Sequence, residues 1–377
     1  MKIKIIAVIF TAILVFVLSY GCFLKKEIKI GFLGGLTGKS ASLGIAGRNG
    51  LNIAAEEING KMGICGYTVR IIPEDNKSDT DTAREKLLSL VNKDKVMAVV
   101  GPMTSSIALG IVDMVNSNKI ICISPTVSSY LLQGKDDYFF QVTTSNDREA
   151  MALAKYVKGK DGIKNISIIY DMNNEGYSKT YFESFKKEFL NDNSAAVITD
   201  FSFDSQNIAS YRDFLQKVLR KNTEAILAIA SDIDTAIICQ NSRLIKPEIM
   251  LYGCGWSLTK QLLQNGGKSV EKMIFCSISD YDSTTDIYNK FREKYYQRYT
   301  EYPSFGSING YEAGMLLFEA IKNANLDKSR IKENLLKISS FTGPFGEIKF
   351  NSNGDVVRPV FCVTVKDGSY KTAGRME

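Results

Sequence analysis

Val99-Val100-Gly101-Pro102-Met103-Thr104-Ser105-Ser106 is the stretch whose reading decides the fold. An apolar run stops at Gly-Pro, gives way to three hydroxyl side chains and opens into a helical pattern. That is a buried strand delivering a polar loop to the start of a helix. Further on, the same grammar returns as Ile120-Ile121-Cys122-Ile123-Ser124-Pro125-Thr126-Val127-Ser128-Ser129. Two buried strands thus carry hydroxyl loops to one end of one sheet, and in open α/β sheets that end is where ligands sit.

Outward from this stretch, strands and helices alternate. Upstream, a strand over 27–34 leads into a glycine and hydroxyl loop, Gly35 to Gly44. A helix over 45–58 follows, with Ala46, Leu51, Ala54, Ala55 and Ile58 as its apolar face. Next come a strand over 67–72, a helix over 80–92 with Asp79 as N-cap, and the strand 96–100. This spacing implies right-handed parallel crossovers. Downstream the pattern restarts, with helices over 149–157, 177–190, 208–219 and 235–242. The strands between them fall at 166–170, 195–203, 225–230, 249–252 and 273–278. Helices over 284–299, 308–323 and 331–338 follow, and 360–365 reads as the last strand before a polar, frayed tail. Two α/β units of similar size with no low-complexity linker predict two similar lobes.

Composition narrows the function. Of 377 residues, 45% are apolar and 23% charged, so a sizeable core is available; the net charge of +6 forms no basic block, which argues against a nucleic-acid surface. There is no histidine, which excludes Ser-His-Asp hydrolysis, histidine general-base chemistry and histidine-ligated metal sites. No CxxC occurs, so no metal or redox framework is expected, and no cofactor. Neither GxGxxG nor a P-loop stands at the strand ends, which disfavours a nucleotide phosphate site.

The N-terminus is an address. Lys2 and Lys4 precede an apolar run over 5–18, then Ser19-Tyr20-Gly21-Cys22. Residues 1–21 read as a secretory signal, and a cysteine just after the cut resembles a bacterial lipoprotein signal with Cys22 lipidated. An uncleaved anchor helix is the alternative. Either tethers the protein outside the membrane. Of the remaining cysteines, Cys122, Cys239, Cys276 and Cys362 sit in apolar runs as small core residues, and nothing assigns a pairing to them, to Cys65 or to Cys254.

The candidate site starts at Met103, Thr104 and Ser105. A helix N-terminus with free N–H groups and a serine hydroxyl suits an anion, although Thr104 or Ser105 can equally serve as a simple helix cap. Thr126, Val127 and Ser128 in the twin loop favour a shared small carboxylate or amide. A carboxylate solute commonly brings an ammonium, which needs an acid. Ser231-Asp232 and Asp234 follow the strand 225–230, where Asp232 is either that acid or a helix cap. Trp256, the only tryptophan, lies in Gly253-Cys254-Gly255-Trp256-Ser257 and reads as a ligand wall or as packing between lobes. Tyr177, after Asn173-Asn174-Glu175-Gly176, closes over a ligand or covers a helix end. Without histidine, no nucleophile–base pair assembles, so an enzyme is not expected.

Taken together, these residues resemble the type I periplasmic-binding-protein family, in particular the branched-chain amino acid (Leu/Ile/Val) and amide-binding receptors of ABC importers. The resemblance is carried by Gly31 to Gly44 with Asn49-Gly50 and Glu57-Ile58-Asn59, by the two hydroxyl loops, and by Asp136-Asp137-Tyr138-Phe139-Phe140. Ala230-Ser231-Asp232, Gly253 to Ser257, Gly266-Gly267-Lys268-Ser269-Val270-Glu271 and Gly310-Tyr311-Glu312-Ala313 complete it. It implies two Rossmann-like lobes joined by three crossovers, 27–144 with 279–348 and 145–278 with 349–377, closing by a hinge on a ligand in the cleft. By position, Ser105 and Ser128 would bind the ligand carboxylate, and Thr126-Val127 would offer backbone groups. Leu43 stands where the amino acid receptors often have an aromatic. Tyr177 lies two places past the usual cleft tyrosine, aligned with Glu175. The acid that holds the ammonium aligns near Cys254, so Asp232 is the substitute candidate. The family disulfide would fall near Ser78 and Thr104 and is absent. The expected protein is a monomeric receptor that hands an amino acid-like solute to permease subunits. A ligand sensor signalling to a separate membrane partner is the alternative, disfavoured because no output domain or relay follows the last strand.

Overall fold

The computed structural model describes residues 26–191, 195–219 and 222–376. The stretch 1–21 read as a signal, with Cys22, lies outside them.

One sheet is wholly parallel. β1 (Glu27–Gly34), β2 (Thr68–Asp75), β3 (Ala98–Val100), β4 (Cys122–Ser124) and β5 (Phe139–Gln141) pair in the order β2-β1-β3-β4-β5. The crossovers contain α1 (Ala41–Gly60), α2 (Thr80–Leu88) and α3 (Ser105–Ser117). β3, β4 and β5 are buried along their whole length, which is why they read as short apolar runs rather than alternating ones. Strand order reverses between β1 and β3. The loops after these two strands, 35–40 and 101–104, therefore flank the crevice at the switch point. Asp79 caps α2 as expected, accepting from Thr82 N at 2.7 Å.

The second sheet is mixed. β6 (Asn165–Asp171), β7 (Val197–Phe203), β8 (Ala225–Ile229), β9 (Met250–Gly253) and β10 (Ile274–Ser277) are parallel, whereas two C-terminal strands join antiparallel beside β10. Its helices are α4 (Asn146–Gly159), α5 (Glu175–Leu190), α6 (Tyr211–Val218), α7 (Asp232–Ile245) and α8 (Lys260–Gly266). After β10 the chain returns to the first unit. There α9 (Asp286–Tyr299), α10 (Phe305–Asn323) and α11 (Ile331–Leu336) pack, followed by the hairpin β11 (Phe341–Gly343) and β12 (Gly346–Ile348). α10 lies so close on α1 that a Cβ at Gly50 would sit 1.8 Å from Ser307 O, and one at Gly310 2.3 Å from Gly47 O. Glycine is what permits that crossing.

The last two strands, β13 (Val360–Lys366) and β14 (Ser369–Met376), correct the expectation of a frayed tail. Asp367-Gly368, with φ of 52° and 67°, makes the tight hairpin turn between them. β14 is an edge strand whose exposed face is polar, so it carries no hydrophobic signature. Helix bounds also differ from expectation, as where α1 begins at Ala41 rather than 45. α10 begins at Phe305, one turn before the expected start at 308, and α8 lies where the sequence predicts no helix.

The chain passes between the sheets after β5, after β10 and before β13. A buried ion pair ties the first and third of these passages together. Arg358, 1% exposed, donates to Glu312 on α10 at 2.6 Å and 3.3 Å and to Val142 O at 3.3 Å. Phe345 N donates to the same Glu312 carboxylate at 3.0 Å. All six cysteines among the described residues are free thiols, and only Cys65 is exposed. Among the described residues no helix is long and apolar enough to cross a membrane, and no cluster of three or more His, Cys, Asp or Glu could hold a metal.

Candidate functional site

Loops from the two sheets meet across a narrow, tightly closed cavity. α3 aims its N-terminus into it. Thr104 is the N-cap residue of α3 yet makes no side-chain cap bond, and the buried Ser105 Oγ has no hydrogen-bond partner. Neither side chain serves as the helix cap that the sequence left open, and both line the cavity. The orphaned hydroxyl and the helix N-terminus therefore offer neutral donors and a favourable dipole to an anion.

The twin loop holds the first one in shape. Ser124 Oγ donates to Pro102 O at 2.6 Å, and Thr126 Oγ1 donates to Met103 O at 2.6 Å. Thr126, Ser128 and Met103 all line the cavity. Val127 does not, which corrects its expected role. Its N–H donates to Ser124 Oγ at 3.0 Å and its carbonyl accepts from Gln141 Nε2 at 3.0 Å, so both backbone groups are already used.

Apolar and aromatic side chains form the other walls. Leu43 from α1, Phe305 from α10 and Ile278 after β10 line the cavity with Tyr177 and Trp256. The Tyr177 and Trp256 rings meet edge to face with centroids 5.8 Å apart. Trp256 thus lines the cavity and packs on Tyr177 within the same unit. The Tyr177 phenol is buried without a partner, as is Asn309 Oδ1 from α10. Burial, with the Cys254 thiol beside it, holds that phenol well above its usual pKa, so it stays protonated.

Three further candidates lie elsewhere. Asp232 is not on the cavity wall: its carboxylate accepts from Ser42 Oγ at 2.7 Å, Thr259 Oγ1 at 2.5 Å and its neighbour Ile233 N at 2.8 Å. Ser231 caps α7, accepting from Asp234 N at 3.2 Å, and lines a neighbouring polar crevice instead. Cys254 is a buried thiol behind the wall, 3.8 Å from Ala230 O. Asp232 and Asp234 belong to the contacts that close one unit on the other. Lys39, on the loop after β1, pairs with Asp234 at 3.3 Å and donates to Ser205 O. Beside α3, Ser106 N donates to Asn174 Oδ1 at 3.1 Å and Gly176 N to Ser106 Oγ at 2.9 Å.

The most informative lining residue was not foreseen. Glu149 reaches the cavity from the start of α4, accepts from the backbone N–H of Ile278, and is pushed by burial to a pKa of about 8. In sequence it is one of two acids in a helix's first turn, the commonest place for a solvated, dipole-stabilising carboxylate. Thr143, Asn174, Gly255, Ser277, Phe305 and Asn309 also line the cavity without having been singled out. Thr143 and Ser277 sit where the chain leaves one sheet for the other, a position that points to a cleft once the crossovers are known.

Two α/β units, one sheet wholly parallel and the other largely so, joined by three passages and closed over a small cavity at their strand ends, define a two-lobed solute receptor. The chain belongs to the periplasmic binding protein family, whose model matches residues 27–369. It is 22% identical to the Leu/Ile/Val-binding protein of Escherichia coli over 88% of this chain and 89% of that one. An uncharacterized protein of Methanocaldococcus jannaschii is 26% identical over 85% and 81%. Among solved structures, a branched-chain amino acid transporter substrate-binding protein of Streptococcus pneumoniae, in complex with isoleucine, superposes with a TM-score of 0.84. It is 26% identical and covers 93% of this chain and 100% of its own. An ABC transporter solute-binding protein of R. palustris in complex with benzoate also reaches 0.84, at 19% identity, covering 93% of this chain and 96% of its own.

Proposed function

We propose that this chain is the solute-capturing receptor of an ABC importer, binding an amino acid or a related small carboxylate in the cavity between its lobes outside the cytoplasmic membrane. The observation that carries the reading is the buried, unpartnered Ser105 hydroxyl at the N-terminus of α3, facing a cavity walled by Leu43, Phe305, Trp256 and Ile278. An anion-accepting end beside an apolar wall fits a small carboxylate with an apolar body. Isoleucine and benzoate, bound by two similar proteins, share that description. The lobes, 27–144 with 279–348 and 145–278 with 349–377, close on the solute by a hinge and then present it to permease subunits. Contacts such as Lys39–Asp234 and Ser42–Asp232 belong to the closed form.

Ser105→Ala is expected to weaken binding of the carboxylate by roughly 1.5–3 kcal/mol, about 10- to 150-fold in Kd by calorimetric titration. An unchanged Kd would remove Ser105 from the site. In the same reading the receptor is a monomer held at the membrane through Cys22. A Cys22→Ser variant is expected to leave the membrane fraction on cell fractionation. Its retention there would favour an uncleaved anchor helix.

A further inference from the structure

We propose that Glu149 is the specificity residue of this cavity, accepting a cationic amine, so that the solute is an amino acid rather than an amine-free acid. The inference rests on the binding role proposed above. Glu149 opens onto the cavity from the first turn of α4 and is only 6% exposed. The groups that face it are neutral: the phenols of Tyr177 and Tyr181 on α5 and the thiol of Cys276 on β10. Its one hydrogen-bond donor is the backbone N–H of Ile278, and no cation among the described residues acts on it. A buried carboxylate without a positive partner is costly, and a cation brought by the ligand removes that cost.

The surroundings keep this carboxylate accessible and exclusive. Gly255 stands beside it, where a Cβ would lie 3.0 Å from Glu149 Oε2. A larger residue at position 255 would crowd the carboxylate. The neighbouring acids are already engaged, Asp232 with Ser42 and Thr259, Asp234 with Lys39, Tyr211 and Ser231. Among the described residues Glu149 is the one acid that lines the cavity. Ser105 at one wall and Glu149 at another therefore pair an anion-accepting group with a cation-accepting one. A carboxyl that is protonated in the free receptor gives up its proton to solvent when the ammonium arrives, so binding at pH 7 releases a proton.

The test is calorimetric titration of the full chain with matched pairs: leucine and 4-methylpentanoate, phenylalanine and 3-phenylpropanoate, 4-aminobutanoate and butanoate. In the pair that binds, the amine-bearing member is expected to bind at least about tenfold more tightly, with a buffer-dependent heat that reports proton release. Glu149→Gln is expected to erase that preference by weakening the amine-bearing member toward the affinity of its amine-free partner, and Glu149→Asp to keep part of it. Binding by leucine or phenylalanine places the amine beside the carboxylate; binding by 4-aminobutanoate places it at the far end, and either supports the role of Glu149. Equal affinity within every pair, or a preference that survives Glu149→Gln, overturns it while leaving the carboxylate site standing. Binding by no member of any pair removes both readings.

Discussion

Glu312→Gln is expected to destabilise the folded protein by about 3–5 kcal/mol, read as a lowered midpoint in chemical denaturation. The pair it breaks is fully buried, with Arg358 1% and Glu312 0% exposed. The amide keeps the volume and can still accept from Phe345 N, but it leaves a guanidinium without a counter-charge in a low-dielectric interior. Arg358 cannot shed its charge to escape that position. The damage is expected where the chain passes between the sheets, since Arg358 also holds Val142 O beyond β5. Replacing both partners is expected to hurt less than replacing one. Glu312→Leu with Arg358→Met should recover a large part of the loss, because the cost lies in the uncompensated charge rather than in a missing attraction. A midpoint unchanged in Glu312→Gln would show that water reaches the pair.

Glu149→Gln is expected to do the opposite to stability. At pH 9 it should raise the melting temperature of the solute-free protein, and at pH 4 leave it nearly unchanged. Burial raises the folded-state pKa of Glu149 to about 8, against 4.5 for the ordinary side chain. Between those values the folded protein holds a proton that the unfolded chain has released. Stability therefore falls as pH rises through that window and stays low above the folded pKa. Glutamine has no proton to lose, so the variant escapes the penalty by an amount on the order of 2–4 kcal/mol at pH 9. An acid kept in a buried cavity at a cost in stability is the pattern expected where function trades against stability. A difference that does not depend on pH would mean that Glu149 ionises freely in the fold.

The part of the fold legible in the sequence is the part with a local signal. The runs ending at Gly101-Pro102 and Ser124-Pro125 announced buried strands with polar loops, and Asp79 announced its helix. β14 carried no such signal, because an edge strand is recognised by pairing with β13 rather than by its own alternation. The site divides in the same way. Ser105, Thr126 and Ser128 lie at strand ends, which topology alone brings to a cleft. Asp232 lies at a strand end too, but Ser42 and Thr259 capture its carboxylate, and only packing between lobes reveals that. Glu149 was invisible for the reverse reason. Its helix position looks solvated, and it is the crossing of α4 beside β10 that buries it against Ile278 and Gly255.

The central claim, that the cavity between the lobes binds a small carboxylate, is tested most directly by a thermal-shift screen of the full chain against amino acids, amides and aromatic acids. A bound solute at a hundred times its Kd should add about 2.7 kcal/mol to stability and raise the melting temperature with the logarithm of its concentration. The expected result is a concentration-dependent rise for a carboxylate with an apolar body, lost or weakened in Ser105→Ala. No rise with any of these solutes, from a protein that melts cooperatively, would contradict the account.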